Sequence, residues 1–185
     1  MELAALMRPL SDDRKLDHAL MHLAENYFIQ GKASDAIAVR REVAQRIGLR
    51  CVNYAAGNLA NLSAALTFIN ELEEALQTAQ TAFPLLLHEG ALSTCADHVA
   101  LLACKVERYV DAARLLGRSD GNFDASGFER EESELRAARM TLDSLRRALP
   151  SGELHRLLAE GAAMTDEAVV RAALGIDGRG ADCAA

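Results

Sequence analysis

The chain has 185 residues, half of them apolar, only 4% aromatic and none tryptophan, with a formal net charge of −7. Alanine and leucine therefore carry the burial, which favours helices over sheets, and the acidic balance argues against a direct nucleic-acid surface. Four scattered cysteines (Cys51, Cys95, Cys104, Cys183) make no disulfide framework, no stretch reaches the ~20 apolar residues of a membrane span, and the start lacks a signal peptide's basic and apolar regions, so a cytoplasmic protein is expected.

Residues 1–10 are a short apolar lead broken at Pro9. Ser11, Asp12 and Asp13 form a helix start, an oxygen cap followed by acids at the positive end of the dipole. Apolar residues then recur at Leu16, Leu20, Leu23, Tyr27 and Phe28 on one helical face. Gly31 and Lys32 make a turn, and a second helix runs through Ile37, Val39, Val43 and Ile47 to a stop at Gly48. The next hairpin occupies residues 56–87, with Leu59, Leu62 and Leu66 before its turn at Asn70 and Ala75 after it. Pro84 predicts a kink or an early end of that second helix. A third, weaker hairpin carries Ala96, Val99, Ala100 and Ala103, then Glu107 at the turn and Ala112 beyond it.

Glycine, serine and aspartate concentrate just after Leu116, which predicts a linker over 118–128. A long charged helix follows, with Leu135, Ala138, Leu142 and Leu145 on its buried side, ended by Pro150. Ser151 and Thr165 are caps of two shorter helices, and residues 176–185 read as a frayed tail. The whole predicts an all-α fold of about nine helices: three hairpins over 1–117, the linker, and a helical cap over 129–175.

The central hairpin resembles a tetratricopeptide (TPR) repeat. Large residues stand at the fourth, seventh and eleventh places (Leu59, Leu62, Leu66), a small one at the eighth (Ser63) and alanine at the twentieth (Ala75). Ala36 and Ala112 take the twentieth place in the flanking units, 39 residues before and 37 after Ala75, against a minimal period of about 34. The turn glycine of the first unit, Gly31, is Asn70 in the second and Glu107 in the third. The resemblance implies a TPR-like helical-hairpin solenoid.

The C-terminal third resembles the end of the helical-repeat region in large bacterial transcriptional regulators of the LuxR and signal-transducing ATPase kind. The residues that carry this are Ala112-Ala113-Arg114-Leu115-Leu116-Gly117, the charged helix, and Gly161-Ala162-Ala163-Met164-Thr165-Asp166-Glu167-Ala168. Such regulators bear an upstream nucleotide-binding domain and a terminal helix-turn-helix domain. No G-x-x-x-x-G-K-[ST] loop occurs here, so ATP hydrolysis does not carry over. The resemblance implies a sensor or interaction segment.

In a TPR hairpin the first helix lines the concave face. On this register that face comprises His18, His22, Glu25, Asn61, Thr94, Asp97, His98 and Lys105, with His22, Asn61 and His98 equivalent. Asparagine there can pair with the backbone of an extended peptide; the bland alternative is a solvated helix face. His18 and His22 have metal-compatible spacing, and His88, Cys95, Asp97 and His98 sit close in sequence, but no paired short-spacing motif supports zinc. Glu73, Glu74, Glu129, Glu131 and Glu132 suit helix starts, and Arg136, Arg139, Arg146 and Arg147 suit a solvated face. Cys95 and Cys104 read as small core residues. The expectation is a non-enzymatic module without catalytic residues, metal or cofactor, binding a protein, a peptide or a small effector. Two alternatives remain: a homodimerisation module using residues 1–10, and a small metal-dependent enzyme.

Overall fold

The computed structural model describes residues 13–47, 52–88 and 95–175. Nine helices occupy them: α1 (Asp13–Ile29), α2 (Ala33–Ile47), α3 (Val52–Phe68), α4 (Leu72–His88), α5 (Ala96–Lys105), α6 (Tyr109–Ser126), α7 (Glu132–Ala148), α8 (Ser151–Ala162) and α9 (Asp166–Leu174). No strand is present among the described residues. The apolar lead, the Ser11–Asp12 start, the Gly48 stop, Thr94 and the 176–185 tail lie outside the described residues.

The first three hairpins share one turn. Gly31, Asn70 and Glu107 all adopt left-handed backbone, with φ of 76°, 63° and 60°. Each donates its amide to the carbonyl three residues back (Phe28, Thr67, Cys104) at 2.9, 3.2 and 3.0 Å. The following amide (Lys32, Glu71, Arg108) reaches five residues back, to Tyr27, Leu66 and Ala103, at 2.8, 3.0 and 2.8 Å. This closure uses up the orphan carbonyls at a helix end and needs positive φ at its hinge. Glycine adopts that conformation freely, whereas a side chain costs roughly 1 kcal/mol there. Glu107→Gly is therefore expected to raise stability by about 0.5–1 kcal/mol, and Gly31→Ala to lower it by a similar amount, read from urea midpoints.

Beyond each turn, Ala36, Ala75 and Ala112 are fully buried. The small residue across the central hairpin is Ser63, whose hydroxyl donates to the Ala75 carbonyl at 2.8 Å. A longer side chain at either place would hold the helices apart. Ala24 and Ala100 keep the register of Ser63 and are equally inaccessible.

Contacts divide the chain into two compact units, Met1–Leu86 and Leu87–Ala185. In the first, α2 packs against α1 and α3, and Leu16, Ala19, Leu20, Val43, Ile47 and Ala55 form a common core. Arg40 lies on this buried face, 1% exposed, held by Glu25 at 2.6 Å, and the Asn58 amide donates to its carbonyl at 2.9 Å. Helix α4 runs through Pro84 to His88 without ending early, because Phe83 and Leu86 on either side are buried and anchor the last turn.

In the second unit α5 packs against α6 and α7, and α6 packs most closely against α8, whereas α7 and α8 scarcely touch each other. Asp97 near the start of α5 meets Arg130 just before α7, and Cys104 near its end meets Thr141. The two helices therefore run in the same direction. Helix α6 crosses α8 and also carries α9, whose last carbonyls, Ala172 and Ala173, accept from the Arg108 guanidinium. The 118–128 linker does not form. Helix α6 continues to Ser126 and ends at Gly127 with φ 69°, since Gly117 and Gly121 face α8 instead of making a turn. The third hairpin thus belongs with the C-terminal helices rather than with the first two. Pro150, not Ser151, holds the N-cap position of α8, while Thr165 caps α9 by accepting from the Ala168 amide at 3.3 Å.

Candidate binding surfaces

The predicted face resolves into two places, one in each unit. In the first unit, His18 and His22 are both exposed on α1, one turn apart, with ring centroids 6.5 Å apart. Tyr54 on α3 joins them. Its hydroxyl lies 2.6 Å from His18 Nε2 and its ring meets the His18 ring edge-on at 4.8 Å. Tyr54 is itself 38% exposed, so this corner presents two imidazoles and a phenol to solvent. The TPR register does not reach Tyr54, which lies five residues before Leu59, the first large residue of its stripe. Asn61 is half-buried on α3. Glu25 is committed to the buried Arg40 guanidinium and acts as its counter-ion.

In the second unit the expectation needs correction. Asp97 and His98, placed on an open face, are buried at 2% and 7% exposure. The reason is α7, which lies along the face of α5 that the TPR register leaves open to solvent. Arg130 grips Asp97 with two nitrogens, at 2.7 and 3.2 Å, and also reaches Ser119 Oγ at 3.2 Å and Asp120 at 2.6 Å. The ring of Phe123 lies under the guanidinium at 4.6 Å. Burial pushes the Asp97 carboxyl up despite the arginine, and burial likewise pushes up Glu134, which accepts from the Glu131 amide at the start of α7. One signal for this cluster stood in the sequence: a lone carboxylate inside the apolar run 95–104 requires a cation when that run is buried. Nothing singled out Arg130 as the donor.

Lys105 lies at the far end of α5 and lines a cleft of about 300 Å³ together with Leu101, Cys104, Met140, Asp143, Ser144 and Arg147. Cys95 and Cys104 are buried, as expected of small core residues, and burial pushes both thiols up to about 12. Among the described residues no group of three or more His, Cys, Asp or Glu side chains converges as a metal site, and no helix is long and apolar enough to cross a membrane.

No family model matches this chain, and no similar curated protein or solved structure was found for it.

Proposed function

We propose that the protein is a TPR-like, non-enzymatic binding module that recognises a protein or peptide partner through the α1–α3 face of its first unit. The observation that supports this reading is the left-handed turn at Gly31, Asn70 and Glu107, which recurs at the same register position in the three hairpins. Arrays of such units use the faces of their first helices for recognition. On that face His18, His22, Tyr54 and Asn61 supply donors, acceptors and flat ring surface without a strong charge, which suits the backbone of an extended segment. The resemblance of the C-terminal third to the helical-repeat end of LuxR-type regulators favours a signalling role, as a sensor or interaction arm in a bacterial transcriptional regulator.

Selection from a displayed random-peptide library tests the face. Wild-type protein is expected to enrich a peptide family, and the triple variant His18→Ala/His22→Ala/Asn61→Ala, with unchanged helical circular dichroism, should bind those peptides at least about ten-fold more weakly. Equal affinity in the folded variant sinks the assignment of this face.

A further inference from the structure

His18 and His22 lie four apart on α1, both exposed, with ring centroids 6.5 Å apart and planes tilted by 48°. Histidines at this spacing share one helix face and can hold a single ion between them. An ion about 2.0–2.1 Å from one nitrogen of each ring keeps the centroids roughly 5–6 Å apart. A small turn of the exposed His22 side chain covers the difference.

Two imidazoles on a helix are by themselves an ordinary surface feature. What distinguishes this corner is Tyr54, brought in from α3. Its hydroxyl stands 2.6 Å from His18 Nε2, and its ring meets the His18 ring edge-on at 4.8 Å. That short contact holds one proton between a nitrogen and an oxygen, both of them metal donors. An ion about 2.0 Å from each spreads the pair to roughly 3 Å, a small outward step for two exposed side chains. The third donor is thus a phenol, not another His, Cys, Asp or Glu side chain. Two carboxylates of α1 are already committed: Asp17 accepts from Arg46 at 2.7 Å and Glu25 from Arg40 at 2.6 Å. Arg14, one turn before His18, brings a like charge, but on a long exposed side chain that solvent screens.

We infer that His18, His22 and Tyr54 form a site for a late first-row divalent transition ion, Cu(II) above Zn(II), with water in its remaining positions. The donor set decides the metal. Two neutral imidazoles and a phenolate suit tetragonal Cu(II), whereas magnesium and calcium take oxygen ligands and Cu(I) prefers sulfur. On binding, the Tyr54 O–H bond breaks, its proton passes to solvent, and the phenolate oxygen takes the ion in its place. The ion ties α1 to α3, helices that both pack on α2. The inference rests on these three side chains and not on the peptide-binding reading of the same face.

The test is titration of Cu(II) into the full-length protein carrying Cys51→Ser and Cys183→Ser, so that these thiols do not compete. At pH 7.5 one equivalent is expected to bind per chain with a Kd below about 10 µM. Binding should bring a phenolate-to-copper charge-transfer band, and paramagnetic broadening of NMR signals centred on His18, His22 and Tyr54. Zn(II) should bind at least about ten-fold more weakly. His18→Ala/His22→Ala should weaken copper binding by at least about ten-fold, and Tyr54→Phe should abolish the band. The three replaced side chains are exposed, so the variants keep their helical circular dichroism. Three results would each overturn the inference and leave an adventitious ion only: copper affinity unchanged in the double-histidine variant, a band that survives Tyr54→Phe, or broadening centred elsewhere. Asn61 is not a ligand, so Asn61→Ala should leave copper affinity unchanged whatever it does to peptide binding. Failure of one reading is thereby kept apart from failure of the other.

Discussion

Arg130→Met is expected to cost about 3 kcal/mol of stability at neutral pH, the largest loss of any single charge removal in the second unit. Asp97 is 2% exposed and its carboxylate is paired with the Arg130 guanidinium, at 2.7 Å. Removing the guanidinium leaves a negative charge with neither water nor counter-ion, and the loss is dominated by that desolvation rather than by the ion pair itself. The double variant Arg130→Met/Asp97→Leu should consequently recover most of the loss, because no charge is then stranded. The pH dependence gives an independent check. Asp97 and Glu134 both ionise higher in the folded chain than their ordinary values of 3.8 and 4.5. Above those values the unfolded chain has released protons that the folded chain retains, so stability is fullest below them and falls as pH rises through the raised folded values. Without Arg130 the Asp97 carboxyl is driven higher still. The cost of Arg130→Met should then be smaller near pH 4.5 than near pH 7.5, as read by urea denaturation at each pH. An identical cost at both would show that Asp97 is not the stranded group.

The contrast between Ala75 and Asp97 shows which parts of this structure could be read from the sequence. The hairpins were legible because their determinants are local. Apolar stripes at helical spacing, a small residue at Ser63, alanine at Ala75 and a turn at Asn70 all lie within one stretch, and each constrains the others. Even Glu107, a poor residue for left-handed backbone, was placed at a turn by its register with Gly31 and Asn70. Arg40 was legible in principle, since Ala36, Arg40, Val43 and Ile47 share one buried face, but its charge argued against burial and its counter-ion Glu25 sits on another helix. The second unit was harder because its decisive contacts join distant segments. Asp97 and His98 read as solvent-facing only while α7 is left out, and Lys105 lines its cleft together with Ser144 and Arg147, which lie some forty residues further along the chain. Composition misled at residues 118–126, where glycine, serine and aspartate make a loop signal that holds only when the glycines are in turns.

Gly117→Ala is expected to destabilise the chain by about 2 kcal/mol, although alanine is ordinarily the better helix former by about 1 kcal/mol. A Cβ built on Gly117 falls closer than 3.0 Å to the carbonyl carbon and oxygen of Leu158, and one built on Gly161 meets the Arg114 carbonyl in the same way. The two glycines sit on either side of one crossing, so α6 and α8 approach backbone to backbone. A flexible side chain could swing aside from an added methyl, but a helical carbonyl is fixed by its own hydrogen bond. The helices must separate, which loosens the packing of Leu115, Leu154 and Leu157, all buried at this crossing. The Arg114–Glu160 and Arg118–Asp166 pairs, at 3.0 and 2.9 Å, flank the crossing and would be stretched with it, though exposed pairs of this kind add little. Gly161→Ala should behave alike. Gly57, within α3, supplies the opposite case: its Cβ would meet nothing within 4 Å, so Gly57→Ala should stabilise by about 0.5–1 kcal/mol. Thermal denaturation of the three variants decides the matter, with Gly117→Ala and Gly161→Ala melting about 4–8 °C lower and Gly57→Ala higher. If Gly117→Ala instead melts with Gly57→Ala, the close crossing of α6 and α8 is not the contact that holds the second unit together.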